Sequence, residues 1–160
     1  LTASPRKPIK KHIVIGRKSG MNEDSGKADS LAAAVPAVLD AIAFNAGGLV
    51  AAIAQQFDTG EVLMMAWMNA ESIAETLRTG RVCYWSRSRR ELWRKGETSG
   101  QTQTLKDFRW DCDSDTVLLL VDQRGVACHT GRRNCFFNAI RDGKPAAIAE
   151  VEVDPEKLYG

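Results

Sequence analysis

Two apolar runs, residues 49–57 and 61–68, stand either side of Asp58-Thr59-Gly60. Three turn-forming residues between β-prone runs have the length and chemistry of a tight connection, so the spacing predicts an antiparallel hairpin. That hairpin constrains the rest of the chain, because later elements have to cover its faces or extend its edges. Asn69 then serves as an N-cap, Ile73 and Leu77 share one helical face, and Gly80 ends a helix that begins near Ala70. A strand is expected at 81–86, and residues 86–100 read as a long functional loop or an irregular hairpin. Further strands are expected at 104–110 and 116–122, then a turn at Gln123-Arg124-Gly125 and a last edge strand at 146–153. Upstream, Leu31, Val35, Val38, Leu39 and Ile42 keep near-helical spacing. Pro36 confines that helix to the part that follows it, and Gly47-Gly48 ends it. The order of elements predicts an α+β fold of mostly antiparallel strands with one or two short helices, not alternating βαβ units.

A length of 160 residues suits one domain plus a tail. The first twenty residues hold six basic side chains and no acidic one. They fit a targeting leader, a nucleic-acid arm or a foreign remnant, so residues 1–30 are read as a disordered basic leader and 31–160 as a single domain. The most apolar stretch, 31–53, is interrupted by Pro36, Asp40 and Gly47-Gly48, which argues against a membrane span. Four cysteines, at 83, 112, 128 and 135, are too few for a disulfide scaffold. With no signal-type segment before them they read as reduced thiols, and the expected setting is cytoplasmic.

Three constellations carry chemistry. Asp111-Cys112-Asp113-Ser114-Asp115 alternates carboxylates with a thiol and a hydroxyl. On an extended backbone the three carboxylates share one side and Cys112 points to the other. Their mutual repulsion calls for a cation, and a hard, oxygen-seeking ion such as Mg²⁺ supplies it; a solvated acidic turn is the plainer alternative. An EF-hand does not fit, since Thr116 stands where the sharp-turn Gly belongs. Cys112, Cys128 and Cys135 form a second group, with His129 beside the middle one. Three thiolates select zinc and leave a fourth position open, while the spacing alone fits buried core cysteines equally well. Cys83, in an apolar run, reads as a core residue. The third group is cationic: Arg87, Arg89, Arg90, Arg94 and Lys95 are interleaved with Trp85 and Trp93, and Arg132 and Arg133 follow. Between Arg81 and Arg109 eight basic residues face three acidic ones. Guanidinium pairs suit phosphate and tryptophan suits a base, so nucleic acid and a phosphorylated small molecule both match.

Gly60-Glu61-Val62-Leu63-Met64, Trp67-Met68-Asn69, SRSRRELWRKGETSG at 86–100, DCDSD, and ACHTGRRNCFF at 127–137 together resemble phosphoribosyl-AMP cyclohydrolase of histidine biosynthesis. The similarity spans roughly residues 49–139, and several uncommon motifs in the same order make it specific. It departs from the common pattern at Gln101, where Asn is usual, and at Gln55-Gln56-Phe57, where a Gln-Asp pair is frequent. The resemblance implies hydrolytic opening of the adenine ring of phosphoribosyl-AMP, at the bond between the one-position nitrogen and the six-position carbon. It implies a compact homodimer that binds zinc through Cys112, Cys128 and Cys135 and magnesium through Asp111, Asp113 and Asp115.

From these residues a mechanism is expected in which a zinc-activated water attacks the ring carbon. Three thiolates soften zinc as a Lewis acid, so a base is useful, and His129 is the candidate; it serves equally as a fourth zinc ligand closing the shell. Trp85, Arg87, Arg89, Trp93, Arg94, Lys95 and Arg132 are candidates for substrate contact. The opposed directions of Cys112 and the aspartates suggest that two copies of the chain share the sites. The expected partners are the small-molecule substrate and a second copy, with neither nucleic acid nor membrane. A zinc-stabilised nucleic-acid module and a non-catalytic metal-stabilised interaction domain are the competing classes.

Overall fold

A computed structural model describes residues 23–158. The basic stretch at the start of the chain lies outside them. Helix α1 (Glu23–Ala33) is followed after Ala34 by α2 (Val35–Ala41), so the leader boundary drawn at residue 30 falls inside α1. Helix forms on both sides of the proline, not only after it. Pro36 sits in the first turn of α2, where an N–H has no intrahelical partner and its absence costs nothing.

The expected hairpin is present: β1 (Val50–Gln56) pairs antiparallel with β2 (Val62–Met68) across the Asp58-Thr59-Gly60 connection. Helix α3 (Ala70–Thr79) starts as its sequence dictates. Asn69 Oδ1 accepts from Ser72 N at 2.9 Å and Ser72 Oγ accepts from Asn69 N at 2.9 Å, a reciprocal capping box. It stops at Gly80, whose φ of 68° is left-handed. Between these ends Ile73, Ala74 and Leu77 face the core.

Strands β3 (Cys83–Ser86) and β4 (Glu91–Arg94) make the basic segment an irregular hairpin, and β5 (Gln103–Trp110) and β6 (Thr116–Gln123) follow. The six-stranded sheet runs β4-β3-β2-β1-β6-β5. Its pairs are antiparallel except one, because β6 returns beside β1 in parallel register, Ala51 against Thr116 through Gln56 against Val121. The sheet curls until β5 meets the chain entering β3: Val82 N donates to Gln103 O at 3.0 Å and Leu105 N to Gly80 O at 2.8 Å. Inside the curl lie Val50, Ala52, Ala54, Leu63, Val117, Leu119 and Val121. Each large side chain fully buried there contributes roughly 1.5–3 kcal/mol.

The last edge strand is corrected. β7 (Asn138–Arg141) and β8 (Lys144–Ala147) form a separate two-stranded hairpin, so the strand occupies 144–147 instead of 146–153. Asp142 and Gly143, with φ of 50° and 74°, make the two-residue turn that sets this register. Beyond it the backbone bonds elsewhere: Glu152 N and Val153 N both donate to Gly131 O, at 2.8 and 3.0 Å. With the short α4 (Pro155–Leu158), four helices occur among the described residues where one or two were expected. No helix among these residues is long and apolar enough to cross a membrane.

Candidate active site

The acidic run is a turn, not an extended segment, which corrects the expected alternation of side chains. Ser114 has φ of 65°, Asp111 N donates to Thr116 O at 3.1 Å, and Thr116 N donates to Asp111 Oδ1 at 3.2 Å. The turn, and not strand alternation, brings Asp111, Asp113 and Asp115 together: one oxygen from each lies within 4.8 Å of the others, all at the surface. Three exposed hard oxygens at that separation suit a divalent cation, and magnesium fits this donor set. The expected opposition of Cys112 to the three carboxylates on an extended backbone loses its basis.

Among the described residues this triad is the one group of three or more possible ligands that converges. Cys112, exposed in the same turn, does not join Cys128 and Cys135 within one chain. Those two do meet. Cys128 is buried and its sulfur lies 3.0 Å from Thr130 Oγ1, and the Cys128 and Cys135 side chains hydrogen-bond to each other. Burial works against ionisation of Cys128, but hydrogen bonds from Thr130 and Cys135 and the charge of Arg132 outweigh it and hold the thiol below its ordinary pKa. Burial, together with the charge of Cys128, pushes Cys135 up to about 12. Of the two thiols, Cys128 is thus the one more readily ionised. Soft sulfur donors this close suit zinc. Cys83 is fully buried, and desolvation followed by the charge of Glu75 pushes its thiol up to about 12, consistent with packing.

A cleft of about 860 Å³ opens beside the thiols, lined by the β3–β4 segment, residues 95–99 and His129. It collects Arg89, Trp93, Arg94, Lys95 and His129; Trp85, Arg87 and Arg132 do not line it. Arg87 stacks 4.9 Å over the Trp67 ring, and Trp85 pairs in register with Trp67. Arg132 lies 4.2 Å over the Phe137 ring and donates through Nε to Ala149 O at 3.0 Å. Arg94 is held in a fork by Glu75, its Nη2 at 2.9 Å from Oε2. Lys95 is 6% exposed and donates from Nζ to Ala127 O at 3.0 Å. Burial lowers its pKa, while the neighbouring Cys135 and Cys128 raise it. Arg89 is exposed, as Arg94 is, and lies 3.2 Å from Glu91.

Residues without obvious chemistry in the sequence hold this arrangement. Tyr84 Oη donates to Gln103 Oε1 at 2.6 Å, and Gln103 Nε2 donates to Gln123 Oε1 at 2.8 Å. Gln123 Nε2 then donates to Arg124 O at 2.6 Å and Val126 O at 3.3 Å, just before the cysteine loop. Gln101, the departure from the common pattern, accepts from Val126 N through Oε1 at 2.9 Å. Glutamines in half-apolar strands give no local sign that they are buried partners, so sequence reasoning passed over them.

The family model described as phosphoribosyl-AMP cyclohydrolase matches residues 64–137, which include every residue of this cleft. The chain is 69% identical over 128 residues to the phosphoribosyl-AMP cyclohydrolase of Rhodospirillum centenum, covering 80% of this chain and 96% of that protein. It is 72% identical over 123 residues to that of Paramagnetospirillum magneticum, covering 77% and 93%, and 65% identical over 122 residues to that of Magnetococcus marinus, covering 76% and 95%. Identity of this depth across nearly the whole of each relative, on a chain whose thiol pair, acidic turn and basic cleft lie inside the matched region, places it in the phosphoribosyl-AMP cyclohydrolase family.

Proposed function

We propose that this chain hydrolyses phosphoribosyl-AMP at the N1–C6 bond of its adenine ring, the ring-opening step of histidine biosynthesis, in the cytoplasm and as a homodimer. Residues 31–160 act as its single domain. The observation that carries the reading is the cleft in which His129 faces Arg89, Trp93 and Arg94 one residue from the Cys128–Cys135 pair. A phosphorylated base needs cations, a flat apolar surface and a proton carrier, and these line one cavity.

Cys128 and Cys135 would hold zinc together with Cys112 of a second copy, because Cys112 stands apart from the pair in its own chain. Asp111, Asp113 and Asp115 would hold magnesium. Zinc, when bound, supplies Lewis acidity that makes water a competent nucleophile near neutral pH. His129 is exposed to the cleft, and its imidazole takes the proton from the attacking water and returns one to the ring nitrogen as the carbon–nitrogen bond breaks. Arg89 and Arg94 bind phosphate oxygens, Arg94 pre-aimed by Glu75. Trp93 supplies an apolar wall, braced by Tyr84 at 5.5 Å between ring centroids. Trp85, Arg87, Lys95 and Arg132 contribute by supporting the walls.

The test measures zinc content and the loss of adenine-type absorbance on adding phosphoribosyl-AMP. Zinc-containing protein should bleach the absorbance; unchanged absorbance refutes the activity. His129→Ala with zinc retained should lose most turnover, and undiminished turnover removes His129 as the base. Verified heterodimers of Cys112→Ala and Cys128→Ala chains should regain part of the activity, since one of the two composite sites then keeps every ligand, and none regained refutes shared sites.

A further inference from the structure

We propose that Arg133 is the positioning residue of the Cys128–Cys135 pair, a role that rests on the zinc reading above. Sequence reasoning placed it among the phosphate-seeking cations, yet it does not line the cleft. Its guanidinium is turned inward. Nη1 donates to Gly125 O at 2.6 Å and Gln123 O at 3.3 Å, Nη2 donates to Gln56 Oε1 at 3.1 Å, and Nε lies 3.5 Å from Glu61 Oε2. One planar fork thereby ties the turn before the cysteine loop to the last residue of β1 and to the residue just before β2.

The backbone continues the same clamp. Ala127 N donates to Arg133 O at 3.0 Å and Cys128 N to Arg132 O at 3.2 Å, so the two arms of the loop are laced beside the first thiol. Cys135 N donates to Leu63 O at 2.7 Å, and Asn134 Nδ2 donates to Glu61 Oε1 at 2.6 Å. Each anchor, Gln56, Glu61 and Leu63, lies in or beside that hairpin. Glu61 touches both Arg133 and Asn134, and Gln56 Oε1 accepts from Gln123 N as well as from Arg133. The separation of the two sulfurs is therefore set by how Arg133 holds the loop against a rigid sheet. Lysine cannot replace it: an ammonium is a point donor and cannot serve oxygens on three segments from one plane.

The experiment uses the full chain, stripped of metal and titrated with Zn²⁺ against a chromogenic chelator, and separately loaded with Co²⁺ to record its thiolate charge-transfer and d–d bands. Arg133→Lys should remain folded by circular dichroism, bind Zn²⁺ about 10- to 100-fold more weakly, and show shifted d–d bands. Its KM for phosphoribosyl-AMP at saturating zinc should equal that of the wild type. Wild-type zinc affinity in Arg133→Lys overturns the proposal, and a raised KM with unchanged affinity makes Arg133 a substrate contact instead. Should Arg133→Lys not fold, Glu61→Gln decides: a several-fold fall in zinc affinity supports the clamp, and no fall overturns it. The zinc reading fails separately, if Cys128→Ala binds Zn²⁺ as tightly as the wild type.

Discussion

Replacing Gln103 by leucine tests the buried relay that ends at the cysteine loop. Gln103 and Tyr84 are fully buried and Gln123 nearly so. Leucine fills similar space but leaves the Tyr84 hydroxyl without its acceptor and Gln123 Oε1 without its donor. Each of the two orphaned buried groups costs about 1–3 kcal/mol, against about 1.5–3 kcal/mol from burying the leucine, so mid-range values leave a net loss of roughly 2 kcal/mol. The sharper consequence is a change of sign. In the parent protein Tyr84→Phe orphans Gln103 Oε1 and destabilises; in the Gln103→Leu background it removes a hydroxyl that has lost its partner and stabilises by about 1–3 kcal/mol. Burial keeps the phenol neutral, since desolvation raises its pKa far above the ordinary value, so it acts as a donor throughout. The assay is urea unfolding followed by tryptophan fluorescence at one protein concentration and one zinc loading, comparing midpoints at constant slope. If Tyr84→Phe destabilises both backgrounds equally, the relay is not a coupled network and the reasoning fails.

Two other contacts lead to measurable outcomes. A Cβ at Gly131 meets Val153 O at 1.8 Å on a residue with φ of 77°, so Gly131→Ala should displace the 148–153 segment from the loop holding His129 and lower both zinc content and turnover; wild-type values for both contradict this. Arg89→Ala removes an exposed cation of the cleft, and a lost charge-assisted hydrogen bond of about 1.5–3 kcal/mol should raise KM about 10- to 100-fold with zinc content unchanged; an unchanged KM removes Arg89 from substrate binding.

What could be read from the residues was local. Asn69 with Ser72 and Gly80 delimits α3, Asp58-Thr59-Gly60 closes the β1–β2 hairpin, and the motifs that carry the family resemblance are contiguous in the chain. The Asp142-Gly143 turn is equally local, and leaving it out of the reading is what displaces the last strand. The acidic triad was legible in type but not in shape, because a left-handed Ser114 turns a run that alternation treats as extended.

Tertiary structure alone decided the rest. It laid β6 parallel to β1, drew Cys128 and Cys135 together while leaving Cys112 apart, buried Lys95, and turned Arg133 from the cleft toward the hairpin. The physical reason is distance along the chain. Gln123 N meets Gln56 across 67 positions and Arg133 meets it across 77, and no propensity or spacing rule encodes which of many buried polar groups will satisfy another. The sequence determined which chemistries were present and which short segments could form; closing the curled sheet determined which of those chemistries face one another.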